Sequence, residues 1–123
     1  MRRFTQLRHK SPTLLPRPPQ LELVCDHLQS RANLSAIVRL AGCFGLSELT
    51  LAGSTRVDPQ IARDAAKTVS ITRRRTLAPY LERRRELGYS LVGLEQTTDS
   101  DSLFEFVFQP RTLLVIGNER RGL

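Results

Sequence analysis

The amino-acid sequence predicts an α/β fold, a parallel sheet with helices packed on its faces, and three observations lead there. Short apolar runs alternate with segments of helical periodicity, in the order strand, helix, strand, helix, strand that a parallel sheet requires. Two of the helical segments end at Gly45 and Gly88, and glycine readily takes the conformation that closes a helix. The 123 residues, 40% of them hydrophobic, suffice for one core and hardly for two.

Taken in order, residues 1–20 set Arg2, Arg3, Arg8, Lys10 and Arg17 among Pro12, Pro16, Pro18 and Pro19. Such a composition neither propagates a helix nor pairs in a central strand, so it reads as a flexible basic arm ahead of a domain over residues 21–123. Residues 21–28 read as a short buried strand, and 49–52, 89–94 and 112–116 read alike. Over residues 35–44, Ala36, Ile37, Leu40, Ala41 and Phe44 share one face at helical spacing. Residues 58–67 form a weaker helix, with Pro59 tolerated in its first turn. Thr76 is placed to cap a third helix that reaches residue 87, with Leu77, Tyr80, Leu81 and Leu87 facing inward and Glu82, Arg83 and Glu86 outward.

Charge narrows the partner. The net charge is +7, and of 19 basic residues only Lys10 and Lys67 are lysines. Guanidinium is a planar fork that grips phosphate through two bonds, which favours a nucleic acid. No apolar run approaches the ~20 residues of a membrane helix, and the start of the chain lacks the apolar stretch of an export signal, so the cytoplasm is expected. Cys25 and Cys43 lie in apolar stretches without metal-ligand spacing, which predicts two buried thiols, no disulfide and no metal. His9 and His27 stand alone and are given no catalytic role.

In a doubly wound sheet, ligands gather where strands end and loops lead into helices. Two strings occupy such places: Asn33-Leu34-Ser35-Ala36-Ile37-Val38-Arg39 after the first strand, and Leu114-Val115-Ile116-Gly117-Asn118-Glu119-Arg120-Arg121-Gly122-Leu123 at the last. Asn33 is a natural helix cap, and its amide both donates and accepts. Arg39 interrupts an apolar segment. Gly117 lets the backbone pass close to a ligand, and Glu119 follows it. The arginine tracts 73–75 and 83–85 bracket the third helix; Arg73, Arg74 and Arg75, in a loop, are the better phosphate contacts. No aromatic residues alternate with the basic ones along the chain, so backbone and shape recognition is expected more than base reading.

Together the two strings resemble motifs one and two of the SpoU (TrmH) branch of the SPOUT RNA ribose methyltransferases, over roughly residues 20–123. Ser35 stands where many members have glycine, and Arg120 where a further glycine is frequent. The resemblance implies a Rossmann-like SPOUT fold and methyl transfer from S-adenosylmethionine to a ribose 2′-hydroxyl of transfer or ribosomal RNA. It implies catalytic roles for Asn33, Arg39 and Glu119, with Asn33 holding both charged partners, and cofactor contacts from Gln96, Gly117 and Asn118. Arg39 stays protonated, so it orients the RNA phosphate and stabilises charge on the attacking oxygen.

Motif three, which opens the family's final helix, is not among the 123 residues, so the resemblance implies a trefoil knot incomplete in this chain. A bare apolar sheet face is then expected, so that the chain either pairs through it, with a second copy or a complementing chain, or is marginally folded. The alternative is a non-catalytic RNA-binding module derived from the same family. A flavodoxin-like nucleotide-binding domain is weaker, for want of a phosphate-cradling GxGxxG loop.

Overall fold

The computed structural model describes Arg3, Thr5 and residues 21–123, so the arm expected over residues 1–20 lies, but for those two positions, outside the described residues. The elements run β1 (Leu21–Cys25), α1 (Arg31–Cys43), β2 (Glu48–Ala52), α2 (Pro59–Ala62), α3 (Ala65–Thr68), β3 (Ser70–Arg74), α4 (Ala78–Glu86), β4 (Ser90–Leu94) and β5 (Thr112–Ile116). The five strands form one parallel sheet in the order β3-β2-β1-β5-β4. The predicted α/β class is thus what the chain adopts.

Alternation along the strands divides the core in two. Leu23, Cys25, Leu49 and Leu51 point to the face covered by α1, α2 and α3, where they meet Leu34, Val38, Ala41, Ala62 and Ala65. Val24, Ala52, Leu113 and Val115 point to the other face, which α4 covers through Tyr80 and the preceding Leu77. Burial pushes the Cys25 thiol up to about 12, so it packs as a small apolar group. Cys43, expected buried, is exposed at the last position of α1.

Several boundaries differ from the sequence expectation, each for a physical reason. The first strand ends at Cys25, because Asp26 to Ser30 turn towards the helix. Ser30, not Asn33, caps α1: its hydroxyl accepts the Asn33 N–H at 3.1 Å, which places Asn33 inside the first turn. The buried face of α1 is Leu34, Ser35, Val38 and Ala41, while Leu40 and Phe44 are 57% and 72% exposed. Apolar residues surround this helix, so periodicity alone placed Ala41 and Ile37 on the core side rightly but drew Leu40 and Phe44 in with them. Ser35 is wholly buried because its hydroxyl donates to the Arg31 carbonyl at 2.6 Å and accepts the Asp58 N–H at 2.8 Å, fastening α1 to the start of α2.

The single helix expected over residues 58–67 is broken at Arg63, whose φ of +57° ends α2 before α3 begins. Arg73 and Arg74 lie in edge strand β3, not in a loop. Thr76 does not cap α4; Leu77 precedes it without a side-chain cap bond, and Leu87 is 57% exposed instead of inward. The bare apolar face expected beside β5 is narrower than predicted. Leu113 and Val115 are buried under α4, and exposure concentrates at Leu91 and Leu94 on edge strand β4 and in residues 95–111.

Candidate functional site

Strand order reverses between β1 and β5, which makes their carboxyl ends the topological switch point where open α/β sheets bind ligands. The two strands end level, with Cys25 opposite Ile116. The loop into α1 and the turn after β5 therefore start side by side, although some 90 residues separate them in sequence.

Glu119 joins them. Its Oε2 accepts the Gln29 N–H at 3.0 Å, and its Oε1 accepts the Ser30 N–H at 3.0 Å and the Asn33 side-chain amide at 3.2 Å. Those donors surround the amino end of α1, whose first turn carries no acidic residue of its own. A carboxylate from the far end of the chain thus meets the unpaired N–H groups and the positive end of the helix dipole. The Gln29 N–H first, then the backbone N–H groups of Glu119 itself and of Ser30 and the Asn33 side-chain amide, hold the carboxyl at about 2 against the opposing effect of burial, from an ordinary 4.5. Glu119 is therefore ionised throughout the neutral range.

Asn118 braces the same turn. Its side-chain oxygen accepts the Arg120 and Arg121 N–H groups at 2.8 and 3.0 Å, and its amide donates to the His27 carbonyl at 2.6 Å. Asn118 and Gly122 bridge across the turn, so Gly117 is pressed against the returning backbone. A Cβ on Gly117 would sit 2.6 Å from the Gly122 carbonyl carbon, closer than such atoms ever approach. Gly122 itself, at φ +69°, lies under the Glu95 carboxylate, 2.7 Å from where its Cβ would be.

Of the expected site residues, Asn33 and Glu119 are brought together directly, with Asn118 and Gly117 in the turn that carries Glu119. Arg39 stands apart. Six residues beyond Asn33, it lies about 9 Å further along the axis and about 240° around it, on an exposed side of α1. Among the described residues it shares no hydrogen bond with Asn33, whose amide holds Glu119 alone. Gln96 is exposed in the loop after β4; its neighbour Glu95 is the residue that reaches the turn.

The three arginines of the first tract also part company. Arg73 donates to the Thr55 carbonyl at 2.7 Å and pins the loop after β2, whereas Arg74, next along the strand, points to the α4 face over Tyr80. Arg75 is exposed. The absence of alternating basic and aromatic residues along the chain does not hold in space, since Tyr80 and Tyr89 are each flanked by guanidinium groups.

Two cavities flank these strands, one of them at the switch point. One, of about 340 Å³, is polar and lies between the loops after β1 and β2 and the turn after β5, lined by His27, Gln29, Ser54, Thr55, Asn118 and Arg121. His27 carries a φ of +37° and its Nδ1 lies 2.6 Å from Asp26 Oδ1; the Thr55 hydroxyl donates to the Leu28 carbonyl. An isolated histidine, a glycine-serine pair and a threonine give no signal in sequence; only the sheet brings them together. The other cavity, about 320 Å³, lies beside β4 and is walled by Leu94, Glu95, Leu103, Phe106, Phe108 and Leu114.

The SpoU rRNA Methylase family model matches residues 20–123. A 23S rRNA (uridine(2479)-2′-O)-methyltransferase of Streptomyces viridochromogenes is 34% identical over 84% of this chain and 39% of its own length. A mouse tRNA (guanosine(18)-2′-O)-methyltransferase is 28% identical over 85% of this chain and 7% of its own. The chain thus spans well under half the length of these relatives. Among solved structures, the Aquifex aeolicus TrmH/SpoU tRNA modifying enzyme superposes with a TM-score of 0.79 at 24% identity, covering 87% of this chain and 56% of that one, a likeness of fold. The SpoU methyltransferase AviRb of S. viridochromogenes, in complex with AdoMet, gives 0.65 at 30% identity, over 87% of this chain and 44% of that one. The chain belongs to the SpoU rRNA methylase family.

Proposed function

We propose that the chain serves an S-adenosylmethionine-dependent methyltransferase that methylates a ribose 2′-hydroxyl of transfer or ribosomal RNA, with residues 21–123 forming part of the methyltransferase domain. The observation that supports this best is the Glu119 clasp, which joins the two family motifs at the switch point of the sheet.

The cavity beside β4 fits the cofactor in kind. Phe106, Phe108, Leu94 and Leu103 offer flat and apolar walls for a purine, and the Glu95 carboxylate, close to Gly122, offers an acceptor for sugar hydroxyls. Gly117, Gln96 and Glu95 would complete that wall, with Asn118 acting through the turn it braces. When bound, the cofactor supplies an electrophilic sulfonium methyl.

The chain's own residues then divide the remaining work. Glu119, ionised and saturated with donors, is a poor proton acceptor; it fixes Gln29, which lines the polar cavity, together with Ser30 and Asn33 at the start of α1. Asn33, held in the first turn of α1 by Glu119, offers its remaining amide capacity to the RNA ribose. Arg39, which forms no ion pair among the described residues, takes an RNA phosphate and favours negative charge on the attacking oxygen. Arg73 holds the loop that forms the cavity's far wall, and Arg75 adds a phosphate contact.

The exposed stripe of Ala36, Leu40 and Phe44 beside Arg39 supports pairing with a second copy or a complementing chain. No helix among the described residues is long and apolar enough to cross a membrane, and a cytoplasmic site of action is proposed. The decisive test combines cofactor titration calorimetry with transfer of a labelled methyl group to tRNA and rRNA transcripts, followed by mapping of the 2′-O-methylated nucleotide. Micromolar cofactor binding with ribose methylation is the expected result; RNA binding without cofactor affinity at millimolar concentration would select the non-catalytic module instead.

A further inference from the structure

The sheet face opposite α1 carries guanidinium groups laid over tyrosine rings. Arg74 Cζ lies 4.4 Å from the Tyr80 ring centre, and Arg84 Cζ lies 5.1 Å from Tyr80 and 5.2 Å from Tyr89. Arg111 Cζ lies 4.7 Å from Tyr89. These residues come from the end of β3, from α4, and from the positions just before β4 and β5, so the ladder crosses the sheet from one end of its strands to the other. Five-residue strands make that roughly 17 Å.

Tyr80 is buried and fixed. Its hydroxyl donates to Glu22 Oε2 at 3.1 Å and accepts from Arg84 Nε at 3.1 Å, and Arg84 also lies 3.3 Å from Glu22. Arg84 is thereby compensated and serves as the central rung. The outer rungs are different. Among the described residues neither Arg74 nor Arg111 makes an ion pair, and the Arg74 Nε is buried without a hydrogen-bond partner. Ring stacking holds these cations in place and leaves their charge unmet. On α4, Arg83 lies within about 60° of the Tyr80 row, while the carboxylates Glu82 and Glu86 lie about 200° and 240° round, facing away from the sheet.

We propose that this face is a second RNA contact, in which a phosphate backbone lies across Arg74, Arg83 and Arg111 while the reacting nucleotide occupies the switch point. The proposal rests on the RNA reading of the site given above. A stacked guanidinium presents its remaining donors in a fixed plane, which matches phosphate oxygens better than the mobile carboxylates of an acidic protein surface. The ladder also begins at the edge of the site, because the Arg74 carbonyl accepts the Gly53 N–H at 3.2 Å and Gly53 lines the polar cavity.

Fluorescence anisotropy with a labelled tRNA transcript across a salt series tests this on the full chain. Arg74→Gln with Arg111→Gln is expected to weaken binding ~10-fold or more and to flatten the log affinity against log salt slope by about 1.5, at ~0.7–0.9 per lost phosphate contact. Tyr89→Leu should weaken binding and Tyr89→Phe should not, since only the ring is needed; Lys67→Gln, on the α3 side, should leave it within about twofold. Wild-type affinity and slope in the double variant, with circular dichroism unchanged, would overturn the ladder while leaving the RNA reading intact. An equal loss in Lys67→Gln would reduce it to unspecific charge, and a wild-type chain that binds no RNA would sink both readings at once.

Discussion

The turn after β5 and the loop after β4 leave neighbouring strands at the same level, Leu94 opposite Ile116, yet they are held by different physics. The turn is cross-linked by polar groups: Glu119 accepts three hydrogen bonds, Asn118 takes part in three more, and two glycines permit the backbone to double back. The loop over residues 95–111 has no helix or strand, its hydrogen bonds are mostly local ones such as Thr97 to Ser100, and it exposes Phe104 at 97% and Val107 at 78%. This domain therefore keeps its precision in the turn. The polar turn is fixed by bonds to a segment 90 residues away, while the apolar loop displays contact surface without committing it.

Loss of the Glu119 clasp is expected to cost the most. Glu119→Ala strips the Gln29, Ser30 and Asn33 donors of their shared acceptor and frees the loop into α1. Ribose methylation by the proposed enzyme is expected to fall at least ~100-fold, about 2.7 kcal/mol of transition-state stabilisation, in a single-turnover assay with cofactor and RNA. A loss below tenfold would mean that the clasp is ornamental to the chemistry.

Backbone crowding comes next. Gly117→Ala forces a methyl group to within 2.6 Å of the Gly122 backbone, so the turn must open or shift. Urea denaturation should show a loss of about 1–3 kcal/mol, the usual range for overpacking. An unchanged midpoint would show that the turn adapts as readily as the loop after β4.

Acid sharpens the contrast further. The folded-state pKa of Glu119 is depressed, so its contribution to stability is fully present above the ordinary 4.5 and disappears as pH falls towards about 2. Thermal melting followed from pH 5 down to pH 2 should therefore fall more steeply in the natural chain than in Glu119→Gln, which carries no titrating group there. Parallel curves would contradict the depressed value.

What the sequence revealed follows the same divide. Glycine, asparagine and glutamate after an apolar run announced the turn, and four of five strands were legible as short apolar runs. Strand β3 was not, because Ser70-Ile71-Thr72-Arg73-Arg74 at a sheet edge is largely polar and resembles a loop. The cap of α1 was misplaced because the group that completes it, Glu119, belongs to the other end of the chain. His27, Ser54 and Thr55 gave no signal, since each acquires meaning only when parallel strands end side by side. The tyrosine and arginine ladder was hidden likewise: its members are up to 37 residues apart in sequence, from Arg74 to Arg111.

The smallest expected effect lies in the loop after β4. Phe104 and Val107 give water nearly all of their surface, so Phe104→Ser with Val107→Ser removes little that folding buries. The expected change in stability is within about 0.5 kcal/mol, the ordinary range for surface positions. If these side chains serve a partner surface, the same double variant should instead lower the self-association seen by sedimentation velocity. A stability loss above ~1 kcal/mol would show that the apolar loop is committed to the fold after all, and would erase its contrast with the turn after β5.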